Sequence, residues 1–494
     1  MTAASATPAT PTHRVSGALT AADGPVAAAL RSALSDDRVR TTATELGLYR
    51  RDASNIEGSA GVVCFPTSTD EVRAAVRIAV DHGMPFVARG SGTGLAGGAT
   101  PLGGALVITL TKMNRILSVD PVNRLAWVEP GVLNLDLTRA VAAHGLHFAP
   151  DPSSQQSCSI GGNLANNSGG PHCLADGVTS AHVLAAEVVM PDGDVVVLGS
   201  EGGEPDGYDL RGAFVGSEGM CGIATRICVR LTQNPPDVRT MLFDFDTVDE
   251  GAQTVSAIIA AGMVPAALEM MDQLCVQAVE AYIHAGLPTD AAALLLVEVA
   301  GPVHGVADEL ERIVAIAREH RCRSVRVAQD EAERALIWKG RKTAFGAVAR
   351  IKPNYYLHDT VVPRRALPDV LRQVYEIAER HGILVMNVFH AGDGNLHPLL
   401  VFDKREPGVL ERVHAAGEEI VRVSVAAGGV LSGEHGIGLE KRDLMPLMFA
   451  PADLAAQAAL RAAFDTTGLA NPTKVLPSPA SCGDSHEVPE GAWI

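Results

Sequence analysis

The stretch Met84-Pro-Phe-Val-Ala-Arg89-Gly-Ser-Gly-Thr-Gly94-Leu-Ala-Gly97-Gly98-Ala-Thr-Pro101-Leu-Gly-Gly104 decides the fold class. Residues 84–88 read as a short buried strand that runs into a glycine loop. Gly92 to Gly97 matches G-x-G-x-x-G letter for letter. A dinucleotide fingerprint of the Rossmann type needs a helix opening inside that pattern and an acidic residue about 20 positions on. Here the loop continues through Gly98, Pro101, Gly103 and Gly104, which cannot form a helix, so a Rossmann NAD site is excluded. The loop can still bind phosphate. Consecutive backbone N–H groups from Arg89 to Gly94 can form an anion-binding nest, and the Ser91 and Thr93 hydroxyls add donors. Taken alone, the same loop is also compatible with a plain surface turn.

Two further polar, glycine-rich segments follow. One is Pro150-Asp-Pro-Ser-Ser-Gln-Gln-Ser157-Cys-Ser-Ile-Gly161-Gly162-Asn163-Leu-Ala-Asn-Asn167-Ser-Gly-Gly170. The other is Gly216-Ser-Glu218-Gly-Met-Cys-Gly222-Ile223. Both have little to pack and much to hydrogen-bond with. Three such segments in one region point to a large polar ligand lying along the backbone, such as a dinucleotide.

Around the first loop the chain alternates between helical and strand periodicities. A helix is expected over 69–82, ended by Gly83, with Val72, Val76, Ile78 and Ala79 on one face. Strands are expected over 105–110, 116–119 and 125–128, a helix over 133–144, and a hairpin of 183–190 with 195–198 around Pro191-Asp-Gly193. Gln233-Asn-Pro-Pro236 is a boundary signal. Beyond it, helices are expected over 251–261, 306–320, 368–381, 407–427 and 451–464, and strands over 293–299, 383–389 and 396–402. The expected organisation is a disordered tail over 1–22, one α+β domain over 23–232, a second over 237–476 and a flexible tail over 477–494.

Composition bounds the function classes. The 494 residues are 47% hydrophobic and 20% charged, with a formal net charge of −17 and no long Lys/Arg run. That balance argues against a nucleic-acid partner and gives no reason to expect docking on an anionic membrane. The longest smooth apolar run, 291–297, is far too short to span a bilayer. The N-terminus lacks a basic n-region and an apolar h-region. The eight cysteines are scattered, without a C-x-x-C pair, and read as reduced thiols in a cytosolic protein with no iron–sulfur or zinc-finger site of its own.

Two C-terminal stretches carry the chemistry: Phe389-His390-Ala-Gly-Asp-Gly394-Asn-Leu-His397 and Ser432-Gly-Glu434-His435-Gly436. Gly392-Asp-Gly394-Asn is a plausible tight turn, and a hairpin through it brings two histidines seven positions apart into one site. Two His and one Glu can hold a divalent metal with an open position, and a further His beside the Glu can accept a proton. The spacing is not that of an H-E-x-x-H protease.

The order of these segments resembles the flavin-binding domain of the vanillyl-alcohol oxidase/PCMH-type flavoprotein superfamily. With the C-terminal motifs, the chain is similar, from about residue 50 to 476, to the FAD-linked D-2-hydroxyacid dehydrogenases, a group that holds D-lactate dehydrogenase, the glycolate oxidase flavin subunit and D-2-hydroxyglutarate dehydrogenase. The resemblance implies an α+β chain in which a PCMH-type FAD-binding domain precedes an FAD-linked oxidase C-terminal domain with an antiparallel sheet. It implies that Arg89, Gly90, Ser91, Gly92, Thr93, Gly94 and Leu95 wrap the FAD pyrophosphate. Pro150, Asp151, Ser157, Gly161, Gly162, Asn163 and Asn167 would line the flavin and ribityl chain, and Glu218, Gly222, Ile223 and Asn471 would also contact FAD. Some relatives attach FAD covalently through a His in the first loop. Thr93 stands at that position here, so the FAD is expected to be non-covalent.

The resemblance further assigns His390, His397 and Glu434 as ligands of a divalent metal, zinc before manganese or iron, with both histidines also at the substrate, and His435 as the catalytic base. Arg341, in Ile337-Trp-Lys-Gly-Arg341-Lys-Thr-Ala-Phe345, matches the arginine that pairs with the substrate carboxylate. Lys352 lies where the D-2-hydroxyglutarate enzymes place a second cation, but Phe345 replaces their hydroxyl residue, and 353–359 is closer to the glycolate/D-lactate branch. The expected activity is oxidation of a D-2-hydroxyacid such as D-lactate or glycolate to the 2-oxoacid, with hydride passing to flavin N5. A D-2-hydroxyglutarate-type dicarboxylate dehydrogenase, a metal-free oxidase of another alcohol and a flavin subunit working beside an iron–sulfur partner are the alternatives. The electron acceptor is left open among a quinone, a flavoprotein, a cytochrome and a partner's cluster. A homodimer is compatible, and the expected location is the cytoplasm, with the inner membrane face as a peripheral alternative.

Overall fold

A computed structural model describes residues 24–54, 56–203 and 207–477. The tail expected over 1–22, and all but the first residue of the tail expected over 477–494, lie outside the described residues. The strand Phe86–Arg89 lies parallel to Ala105–Thr109, which lies parallel to Ala60–Cys64, with Val39–Arg40 antiparallel at the edge. The connection from 90 to 104 contains no helix, as its glycines and Pro101 require. It therefore leaves the sheet as an open loop at the carboxyl end of Phe86–Arg89. Helix Thr69–Asp81 packs here through Val72, Ala75, Val76 and Ala79, and Ser68 caps it by accepting from the Glu71 N–H. The chain returns to this sheet at its end. Phe86 N–H donates to Leu469 O, and Asn471 N–H donates to Phe86 O.

The second sheet is antiparallel, with Ile116–Asp120, Leu125–Val128, Ile223–Arg230, Val183–Val189 and Val195–Gly199 in that order. Its last two strands form the expected hairpin around Gly193. The segment Ser159–Asn167 forms a short helix, Ile160–Asn166, under this sheet. Gly161 sits so close to Pro130 that a Cβ would lie 2.5 Å from the proline Cβ and 2.9 Å from its carbonyl oxygen. Only glycine allows that approach.

The C-terminal region is built on a nine-stranded antiparallel sheet, with Ser324–Val327, Asp237–Phe245, Ala293–Gly301, Ala267–Asp272, Leu384–His390, Asn395–Leu396 and Thr360–Val361 in order. Leu384–Asn387 also pairs with Pro398–Phe402, which pairs with Asn354–Leu357. The central strands are covered on both faces. Met241, Phe243 and Phe245 pack with helices Val248–Ala260, Val303–Glu319, Leu367–Arg380 and Val409–Ala426, while Leu242, Leu294 and Leu296 pack with Gln273–Ile283 and Glu331–Ala347. Burial on both faces explains the smooth apolar run at 293–297.

The strand expected over 396–402 is broken at His397. Asn395–Leu396 pairs towards Thr360–Val361, whereas Pro398–Phe402 pairs with a different neighbour. Strand Ala267–Asp272 and helix Glu331–Ala347 escape the periodicity patterns because each turns ionisable side chains inward. Glu269, Asp272 and Arg341 are all buried.

Candidate active site

One cavity of about 460 Å³ connects the glycine loops of the N-terminal sheets with the His/Glu stretches of the C-terminal sheet. Arg89 to Leu95, Gly161, Gly162, Asn163 and Glu218 line it, together with His390, His397, Glu434 and His435. Arg89 is buried, and its Nη1 has no protein partner. Buried unpaired donors are rare and call for an anionic acceptor. A loop of backbone amides with such a guanidinium at its start fits a pyrophosphate.

Hairpin geometry sets the histidine pair. His390 pairs across from Asn395, and Gly394 takes φ +71°, where a Cβ would meet Val362 O. The two imidazole centroids come within 5.0 Å. Each ring has its Nδ1 committed. His390 Nδ1 donates to Glu269 Oε1 at 2.7 Å, and His397 Nδ1 donates to His358 O at 3.2 Å. Both Nε2 atoms therefore face Glu434, each 3.2 Å from Oε1. Donation from Nδ1 fixes the tautomer that leaves Nε2 as a ligand atom, the second-shell arrangement of metal-binding histidines. The three donor groups lie within 4.8 Å of one another, and a second group, Asp359, His397 and His435, meets the same limit. His397 Nε2 is buried without a hydrogen-bond partner. This donor set fits a divalent metal.

Electrostatics separate the roles. Burial opposes ionisation of Glu434, but His390 and His397 outweigh it and hold the carboxyl well below its usual range. Burial also opposes charge on His390, yet Glu269 and Glu434 raise it to about 10, so a metal held at Nε2 would displace the proton that ring carries without it. Burial lowers His435 to about 4, so its ring is neutral near pH 7. The His435 ring stacks on His397, with centroids 5.0 Å apart and planes 11° apart, and its Nε2 is 3.8 Å from Glu434 Oε1. A neutral buried imidazole beside the ionised Glu434 has the free lone pair that a proton acceptor needs.

Arg341 is fully buried and does not line the cavity. Its Nε donates to Glu269 Oε2 at 2.6 Å, and both terminal nitrogens lack a partner. Glu269 thus holds Arg341 with one oxygen and His390 with the other. Lys352 is not brought to the cavity. It is paired with Glu406 at 3.0 Å on the surface.

Seven residues expected around FAD also stand off the lining. Pro150 accepts from Asn134 Nδ2, and Asp151 pairs with His172 at 2.9 Å. Ser157 is exposed and bonds Ser154 O, and Asn167 Oδ1 accepts from the Ser180 N–H. Gly222 and Ile223 pack against Val188 and Val189. Asn471 donates to Gly98 O and Glu218 O, and so acts on the loop from behind.

The cavity also has walls of which the sequence singles out only Phe345. Lys342 and Phe345 come from one face of helix Glu331–Ala347, and Tyr355 and Leu357 from alternate positions of one strand. The period-two alternation of Tyr355 and Leu357 is the signal that would have found that pair.

Among solved structures, the fold is similar to p-cresol methylhydroxylase with substrate bound (TM-score 0.77, 17% identity, 92% of this chain and 96% of that one). It is also similar to 4-ethylphenol oxidase from Gulosibacter chungangensis (TM-score 0.73, 20% identity, 92% and 97%). The fold is thus that of the PCMH-type flavoproteins. Residues 60–199 match the family described as FAD binding domain, and residues 234–475 match FAD linked oxidases, C-terminal domain. The protein is an FAD-dependent oxidoreductase. The chain is 45% identical over 423 residues to glycolate oxidase subunit GlcD of Escherichia coli (strain K12), covering 86% of this chain and 85% of that protein. It is 31% identical over 469 residues to a probable mitochondrial D-lactate dehydrogenase of Danio rerio, covering 93% of each. It belongs to the FAD-linked D-2-hydroxyacid dehydrogenase family.

Proposed function

We propose that the protein oxidises a small 2-hydroxymonocarboxylic acid, of the glycolate or D-lactate kind, to the 2-oxoacid, using dissociable FAD and a divalent metal held by His390, His397 and Glu434. The observation that carries this reading is the convergence of that donor set with the neutral His435 in a cavity lined by the flavin-binding loops. When bound, FAD supplies a two-electron acceptor and the metal lowers the pKa of the substrate hydroxyl. The protein's own residues do the rest. His435 takes the hydroxyl proton at Nε2, the ring nitrogen turned to Glu434. Arg341, which does not line the cavity, acts through Glu269, whose other oxygen holds His390 Nδ1. Phe345, Tyr355 and Leu357 give an apolar wall that excludes water. Thr93 in the loop offers no imidazole for a covalent flavin link.

A dicarboxylate substrate is disfavoured, because Lys352 is tied to Glu406 away from the cavity and Phe345 faces it. The names of the glycolate oxidase relatives, which are subunits, support work beside a partner, and the electrons then leave through that partner's redox centre, such as an iron–sulfur cluster, or through a quinone. No helix among the described residues is long and apolar enough to cross a membrane.

The test is an anaerobic panel of D- and L-2-hydroxyacids on protein loaded with FAD and zinc or manganese. Bleaching of the flavin by a small monocarboxylic acid is expected, with His435→Ala unreduced but still yellow. No bleaching by any acid sinks the reading, and normal reduction of His435→Ala removes the base assignment.

A further inference from the structure

The turn that carries Glu434 and His435 belongs to no helix or strand, yet six successive N–H groups in it have partners. Asp359, with no exposed surface, accepts from the N–H of Gly433 at 3.0 Å, of Glu434 at 3.2 Å and of His435 at 2.9 Å, and from Ser432 Oγ at 2.5 Å. Ser432 Oγ accepts from Gly436 N–H at 2.9 Å. Glu218 accepts from Ile437 N–H at 2.7 Å and Gly438 N–H at 3.1 Å. Asn166 Nδ2 donates to His435 O at 2.9 Å.

An irregular turn with buried amides must find acceptors somewhere. Three consecutive N–H groups converging on one carboxylate form an anion-binding nest, here filled by the chain's own side chain, and bonds to an ionised acceptor are about twice as strong as neutral ones. Asp359 is in turn anchored. Lys441, itself buried, donates to Asp359 O at 2.6 Å and lies 3.7 Å from Oδ2. Asp359 also sits between strands Asn354–Leu357 and Thr360–Val361, so it ties the turn to the strand whose Tyr355 and Leu357 wall the cavity. An asparagine keeps the volume and can place its one amide oxygen where Oδ2 lies, but it removes the charge that strengthens these bonds and sets an NH₂ group where Oδ1 accepts from Gly433 N–H.

We propose that Asp359 is the positioning residue for both Glu434 and His435, fixing them relative to the two histidines, while Glu218 holds the far side of the same turn from the flavin-binding region. The kinetic part of this inference rests on the 2-hydroxyacid reading. The metal part does not depend on which acid is oxidised.

The experiment compares Asp359→Asn with the wild type as full-length, FAD-loaded protein. FAD affinity and reduction by dithionite are expected to stay at wild-type values. Zinc affinity, read by chelator competition, is expected to fall about 10–100-fold, the range seen for lost second-shell support. The rate of anaerobic flavin reduction by the best wild-type substrate is expected to fall about 100-fold or more, as for a displaced general base. Ser432→Ala, which removes one donor to Asp359 without stranding a charge, is expected to move both readouts the same way by a smaller factor and serves if Asp359→Asn does not fold. Wild-type zinc affinity and reduction rate in either variant overturn the inference. If no acid reduces the wild type, the 2-hydroxyacid reading fails, and equal zinc affinities in wild type and variant then overturn the positioning role on their own.

Discussion

Removing the Glu269 carboxylate tests the buried core of the site most directly. Glu269 is 1% exposed and Arg341 is 0% exposed. One carboxylate oxygen takes Arg341 Nε at 2.6 Å and the other takes His390 Nδ1 at 2.7 Å. Glu269→Ala leaves the Arg341 guanidinium as an uncompensated charge with no exposed surface, since its other nitrogens already lack partners. Breaking one side of a buried pair costs about 3–5 kcal/mol. At about 2–4 °C per kcal/mol for a unit of this size, thermal unfolding should fall by roughly 6–20 °C. Adding Arg341→Met removes the stranded charge, and the double variant should be more stable than Glu269→Ala by about 2 kcal/mol or more. The assay is urea and thermal unfolding of the FAD-loaded protein for wild type, both single variants and the double variant. A Glu269→Ala loss below about 1 kcal/mol, or a double variant no more stable than Glu269→Ala, would refute the reasoning.

His172 bridges Asp151 and Glu298, at 2.9 and 3.3 Å. Burial opposes its charge, but Asp151 and then Glu298 raise the ring to about 10. An unfolded histidine titrates near 6.5, so the stabilisation from this bridge is complete below about pH 6.5 and lost as pH rises through about 10. The difference in unfolding free energy between wild type and His172→Ala should therefore be larger at pH 6 than at pH 10.5, and a difference independent of pH would contradict it. Gly161→Ala places a Cβ 2.5 Å from Pro130, which should distort the Ile160–Asn166 helix where it lines the cavity and lower FAD occupancy, measured by the flavin-to-protein absorbance ratio. Lys352→Ala breaks only a surface pair with Glu406 and should cost at most about 1 kcal/mol. It should also leave kcat/KM for the monocarboxylic substrate unchanged, whereas a selective loss on a dicarboxylate would restore the second-cation reading.

Much of the framework was legible because it rests on local rules. The helix over 69–81 is written in its Ser68 cap and its apolar period, and the hairpin over 183–199 in its turn residues. The glycines from 90 to 104 ruled out a Rossmann helix, and no helix forms there. Two of the elements that stayed hidden have patterns broken by buried charge. Ala267–Asp272 carries Glu269 inward, and Glu331–Ala347 carries Arg341 inward, so neither reads as an ordinary strand or helix.

By itself, the sequence determined which groups are available: three imidazoles, one glutamate and a set of glycine loops whose backbone can approach a large polar ligand. Only the tertiary structure decided how they are used. It paired Arg341 with Glu269, sent Lys352 to the surface, and placed Phe345, Tyr355 and Leu357 on the cavity wall. It also brought Asp359 under a turn more than 70 residues away in the chain. Glycine loops and turns act through neighbours along the chain. A buried carboxylate acts through whatever donors the packed sheets deliver to it, and the chain order does not specify those donors.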